Sequence, residues 1–129
     1  MDTSIFICFG NPENHLGQLR RCASKRESTC WTIHADARPG DRAVFYLISP
    51  LSAFFATGLV AGFPSLNTDA WAGHYMADIR RIRLLPEPIP IRTVREEFKH
   101  WGWLKQPRRT TEVPEGIADR FWELLGAGD

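Results

Sequence analysis

An α+β fold, in which a small barrel-like sheet is flanked by helices, is predicted by three features of this 129-residue chain. Two apolar segments, 42–48 and 54–62, follow one another across the short connection Ser49-Pro50-Leu51-Ser52. A first apolar run, Ser4-Ile-Phe-Ile-Cys-Phe9, ends in Gly10-Asn11-Pro12, a strand stop followed by a helix start. Near the other end, Ile117, Phe121, Leu124 and Leu125 recur at helical spacing. With the segment from His74 onward, these pieces predict a sheet of about five to six strands, small enough to curl on itself.

The elements follow in order. Residues 4–9, rich in β-branched and aromatic side chains, predict a buried strand. Asn11 is placed to cap the helix that Pro12 opens, with Leu16 and Leu19 on its buried face and an end near Ala23-Ser24. A polar stretch, 25–30, then delivers Trp31. Pro39-Gly40-Asp41 turns the chain into the strand from Arg42. Pro50 belongs to a connection, since a proline inside a ladder forfeits a donor. Gly58 and Gly62 point to bulges or tight curvature. Residues 64–70 form a polar loop ending at Trp71, and 74–85 form a strand whose alternation fails at Arg80-Arg81, the mark of another bulge. Pro86, Pro88 and Pro90 impose an extended, irregular path. Residues 91–100 are helical, with Val94 and Phe98 one turn apart. The last helix begins at Pro114 and ends at Gly126.

Composition bounds the function. The chain is 43% hydrophobic and 24% charged, an ordinary globular balance, and residues 1–129 read as a single domain. Nothing approaches the ~18–20 apolar residues of a membrane helix, and the first residues lack the basic start of a signal peptide. A cytoplasmic protein with no membrane partner is expected. Three cysteines (Cys8, Cys22, Cys30) make no closed disulfide framework, and with His34 they match no zinc spacing. Phosphate-loop, dinucleotide, G-x-S-x-G and H-E-x-x-H motifs are absent. His74 with Asp78 is the one acid–base pairing on offer, and Glu96-Glu97 reads as a solvated helix face. The expectation is a non-enzyme with no cofactor and no metal.

The net charge of +1 rules out a blanket polyanion binder, but the distribution is uneven. Thirteen of the sixteen basic residues are arginine, whose planar fork suits phosphate. They gather as Arg20-Arg21 with Lys25-Arg26, as Arg80-Arg81 with Arg83, and as Lys105 with Arg108-Arg109. Each cluster is either a solvated face or a phosphate contact; three in one small domain favour a nucleic-acid surface. Trp31 and Trp71 stand among polar neighbours and are candidate walls of a pocket for a flat ring, with Trp101 or Trp103 as a third. Stacking on indole would replace what an unstacked base has lost. Asn11, Asn14, Thr32, Ser49 and Asp69 are candidate groups to read its edge. Asn11 either contacts a base or only caps its helix.

In this order, Phe9-Gly-Asn-Pro-Glu-Asn14, Cys30-Trp-Thr32, Pro39-Gly-Asp-Arg-Ala-Val-Phe-Tyr46 and Gly58-Leu-Val-Ala-Gly-Phe63 resemble the EVE domains. Trp71–Ile79 and Leu84-Leu-Pro-Glu-Pro-Ile89 complete a set that spans most of the chain to about residue 90. With the related YTH domains, EVE domains belong to the PUA-like superfamily. The resemblance implies a PUA-like barrel and a non-catalytic reader holding a modified base, a modified cytosine or N6-methyladenine, in an aromatic cage. DNA is the favoured partner and a separate nuclease a further one; a PUA- or ASCH-like RNA-binding domain is the alternative. By the same resemblance Trp31 is one cage wall, Thr32 lies beside the base, Asn11 contacts it, and Asn14 matches a further polar position. Trp71 is the candidate second wall. Arg20, Arg21, Lys25 and Arg26, or Arg108 and Arg109, would hold phosphates.

Overall fold

Strand β1 (Ile5–Gly10) is an unbroken apolar run because both of its faces are buried. The computed structural model, which describes residues 3–66, 74–107 and 109–126, pairs it in parallel with β3 (Arg42–Leu47), Ile5 opposite Arg42 and Gly10 opposite Leu47. Alternate side chains of the two strands enter two separate cores. Phe6, Cys8, Ala43, Phe45 and Leu47 face the first; Ile5, Ile7, Val44 and Tyr46 face the second. A strand covered on both sides shows no apolar–polar alternation, which is why 4–9 and 42–48 read as continuous hydrophobic runs.

The sheet is curled into a half-barrel in the order β2 (Thr29–Thr32), β6 (Tyr75–Pro90), β4 (Ala53–Val60), β3, β1 and β7 (Thr111–Glu112), with a short β5 (Ser65–Leu66) added to β6. Apart from β1–β3 every pairing is antiparallel. Strand β4 (Ala53–Val60) joins β3 to the long β6 (Tyr75–Pro90). The expected bulges are present: the β4–β6 register shifts between Phe54 and Ala56 and between Thr57 and Leu59, and Arg81 adopts a φ of 53°. As a result Ala77, Ile79, Ile82 and Leu85 point inward at uneven steps. Gly58 lies at the second shift, where an added Cβ would stand 2.5 Å from Ile79 Cγ2. Gly62 falls beyond the strand. The prolines 86, 88 and 90 do not end β6. They continue its extended path as exposed residues, Ile89 and Pro90 pairing with Phe54 and Ala53.

Helix α1 (Pro12–Lys25) covers one face, burying Leu19 and Cys22 in the first core. Asn11 caps it through its side-chain oxygen, which accepts from Glu13 N–H at 2.8 Å, and Arg26 closes it in the left-handed region. The chain then forms β2 (Thr29–Thr32), antiparallel to β6, where a loop was expected; β-branched Thr29 and Thr32 are the overlooked signal. The Pro39-Gly40-Asp41 turn is fixed by Asp41, whose carboxylate accepts the backbone N–H groups of Ser4 and Arg38 at 3.1 and 2.9 Å. That ties the start of β3 to the start of β1.

The other face, which carries the second core, is covered by α2 (Ile91–Glu97), a 3-10 turn (Gly102–Lys105) and α3 (Ala118–Leu125), with β7 (Thr111–Glu112) at the sheet edge between the last two. The terminal helix starts later than predicted, since a 3-10 turn, Glu115–Ile117, precedes it. Gly126 caps it with φ 67°. Strand β7, unforeseen in a short polar sequence, pairs with β1 through Phe6 and Ile7. Trp101 and Trp103, candidates for a third pocket wall, belong instead to this second core. Their rings stack 5.3 Å apart, Trp101 also meets Phe121, and Trp103 meets Phe9 and Tyr46 edge-on.

Candidate functional site

A cavity of about 380 Å³ opens where α1 meets the β2–β6 pair, lined by Phe9, His15, Gln18, Cys30, Trp31, Thr32, His74 and Met76. That size is within the range of small-ligand sites. Trp31 and Thr32 reach it because β2 lies along the first residues of β6, Trp31 opposite Ala77 and Thr32 opposite Met76. His15 and Gln18 reach it from α1, three residues apart on one helix face.

Trp31 is held firmly. Only 5% exposed, it donates Nε1–H to the Phe9 carbonyl at 2.7 Å, meets Phe45 edge-on at 4.8 Å and lies at 4.8 Å from the His15 ring. Its indole forms the floor of the cavity rather than a free-standing wall. Gly10 allows this packing, since a Cβ there would meet Leu47 Cδ2 at 2.7 Å and Trp31 Cζ2 at 3.0 Å.

His15 gave no signal in the sequence beyond its place four residues after the cap. Its Nδ1 accepts the Asn11 backbone N–H at 2.8 Å, so the proton of the neutral ring sits on Nε2. Burial holds this imidazole below the ordinary histidine value of 6.5, so it is neutral at physiological pH. Gln18 donates its amide to Thr29 Oγ1 at 2.7 Å, which leaves its carbonyl oxygen as an acceptor. The cavity thus combines a fixed donor, an amide acceptor, the Thr32 hydroxyl and apolar surface from Trp31 and Met76.

The depressed His15 pKa has a sign that can be measured. The unfolded chain takes up this proton first as pH falls, so the His15 contribution is fully present above 6.5 and declines as pH drops through and below it. Protonation also replaces the acceptor that Asn11 N–H requires. Chemical denaturation at a series of pH values should show a loss of stability below 6.5 that is shallower in His15→Gln.

The other expected residues are placed as follows. Asn11 spends its side-chain oxygen on the helix cap, and Asn14 is exposed on α1; neither lines the cavity. Ser49 is exposed on the turn after β3 and does not line it either. Trp71, Asp69 and Arg108 lie outside the described residues. Arg20, Arg21, Lys25 and Arg26 are exposed along the second half of α1 and its cap. Arg20 leans over Phe55, 5.9 Å from the ring centroid, and Arg21 pairs with Glu27 at 3.5 Å. Thr29, which follows the end of α1, stands opposite Ile79, one residue before the exposed Arg80 and Arg81. Arg109 is exposed, and its carbonyl accepts Trp103 Nε1–H at 2.9 Å. Trp103 in turn packs edge-on against Phe9, which lines the cavity. His74 lines the cavity, whereas Asp78 is exposed further along β6.

A curled α+β half-barrel with this order of strands is the PUA-like fold. No family model matches the chain, and no curated protein does. Solved structures share its fold. Rpa0253 from Rhodopseudomonas palustris superposes with a TM-score of 0.73 at 15% identity, over 96% of this chain and 93% of the other. Human THYN1, solved in complex with 5-methylcytosine-containing DNA, gives 0.67 at 15% identity over 98% and 100%. ASCH from Zymomonas mobilis gives 0.62 at 12% identity over 95% and 96%.

Proposed function

We propose that this chain is an EVE-like, non-catalytic reader that takes a modified base of DNA, flipped out of its duplex, into the cavity beneath α1. The observation that carries this reading is the cavity's lining: an indole floor beside a neutral imidazole, an amide oxygen and a hydroxyl, with basic side chains along the adjoining helix. A flipped base needs an apolar surface to replace its stacking and rigid polar groups to read its edge. His15 Nε2–H would meet an acceptor on the base, Gln18 or Thr32 a donor, and Met76 or Trp31 an added methyl. Arg20, Lys25 and Arg26 would hold phosphates, which makes affinity fall steeply with salt. The likeness to human THYN1, solved with 5-methylcytosine DNA, supports this choice of ligand. Any cleavage of the marked DNA would come from a separate nuclease, and the protein would work in the cytoplasm.

Fluorescence polarisation tests the reading. The oligonucleotides would carry cytosine, 5-methylcytosine, 5-hydroxymethylcytosine, adenine or N6-methyladenine, as DNA and as RNA, at one salt concentration. A preference of about ten-fold or more for one modified base in DNA is expected, in line with the ~1–3 kcal/mol that one well-placed base contact supplies. Tighter binding of unmodified RNA would favour the alternative, an RNA-binding domain. No binding to any of them would remove the reading.

A further inference from the structure

Beside the cavity the protein exposes apolar side chains that the pocket does not use. Phe63 is 70% exposed, Leu66 52% and Tyr75 40%. They belong together: Leu66 faces Tyr75 across the β5–β6 pair, and Phe63 leads into β5. The patch shares a face of the sheet with the indole that floors the cavity, because side chains alternate along a strand, Tyr75 and Ala77 lie on one face of β6, and Ala77 stands opposite Trp31; Met76 between them lines the cavity itself. A cation accompanies the patch, with the Arg38 guanidinium 5.9 Å from the centroid of the Phe63 ring. Exposed aromatic rings at the rim of a ring-binding cavity, one with a guanidinium against it, suit a base joined to its phosphate.

We infer that Phe63, Leu66 and Tyr75 form a stacking platform for the nucleotide next to the base held in the cavity. The inference rests on the reading given above and extends it to a neighbouring subsite. When a base leaves a duplex, each neighbour is left with one bare face. An apolar surface pressed against that face recovers part of the lost stacking and keeps water out. Arg38 beside Phe63 supplies the positive charge for the phosphate linking the two nucleotides. Since every base has such a face, the platform adds affinity without reading sequence or modification.

The division of labour is testable by polarisation titrations of the wild type, Phe63→Ala and Tyr75→Ala. Each duplex would exist in modified and unmodified form, with the neighbouring nucleotide either intact or abasic. Both side chains are substantially exposed, so the variants should unfold at the wild-type denaturant midpoint. Each substitution should weaken binding of the intact duplexes about ten-fold, leave the modified-to-unmodified ratio unchanged, and have no effect on the abasic ones. Wild-type affinity in both variants, with the preference for a modified base intact, would overturn the platform and spare the reader. If the wild type binds none of the duplexes, both fall. A loss of modified-base preference in Phe63→Ala would also overturn it, by placing that ring in the recognition of the mark.

Discussion

Replacing Trp31 with alanine should cost about 3–5 kcal/mol of folding stability, the range for a large aromatic removed from a core. Three contacts are lost together: the edge-on packing against Phe45, the contact with His15 and the Nε1–H bond to the Phe9 carbonyl. The carbonyl is left without that donor, and the floor of the cavity disappears. Guanidinium denaturation reads the stability, and the oligonucleotide panel reads the second consequence, the loss of preference for the modified base. Trp31→Phe separates the two. It keeps an aromatic floor, gives up the hydrogen bond at about 1–3 kcal/mol, and should retain part of the preference. Selectivity unchanged in both variants would remove Trp31 from base recognition and leave it a core residue.

The second large effect belongs to the opposite face of the sheet. Phe121 is 0% exposed and meets Phe54, Phe98 and Trp101 edge-on at 5.4, 6.3 and 5.5 Å. Phe121→Ala should lower stability by about 3–5 kcal/mol, through lost transfer energy and the void that remains. Yet no second-core residue except Phe9 lines the cavity. The folded fraction should therefore bind nucleic acid as the wild type does. Denaturation followed by polarisation at low temperature, where the variant stays folded, measures both. Weakened binding in the folded variant would mean that the second core shapes the cavity through β1.

Much of this molecule can be read from local sequence. Asn11-Pro12 marked the start of α1 because capping and a proline's fixed φ are properties of a few consecutive residues. The Arg80-Arg81 break announced the bulge because inward and outward positions alternate along a strand unless a residue is added. Strands β2 and β7 escaped notice for the opposite reason. Four and two residues long, they are strands only by virtue of β6 and β1. The site divides in the same way. Trp31 and Thr32 stand out as residue types, but His15 and Gln18 have the look of ordinary helix residues. Their part in the cavity depends on how α1 lies across β2, and no local pattern carries that. Asn11 shows the reverse: a conspicuous residue whose side chain its own helix already uses.

The place of β1 has a consequence for the order of events during synthesis. This strand is made before both of its neighbours, β3 and β7, so Phe6 and Ile7 meet their antiparallel partners only when Thr111 and Glu112 have been added. Until then one edge of β1 keeps its backbone donors and acceptors unpaired, beside apolar side chains that the last helix has yet to cover. A nascent chain in that condition is sticky along the strand that carries the Phe9 carbonyl beneath Trp31.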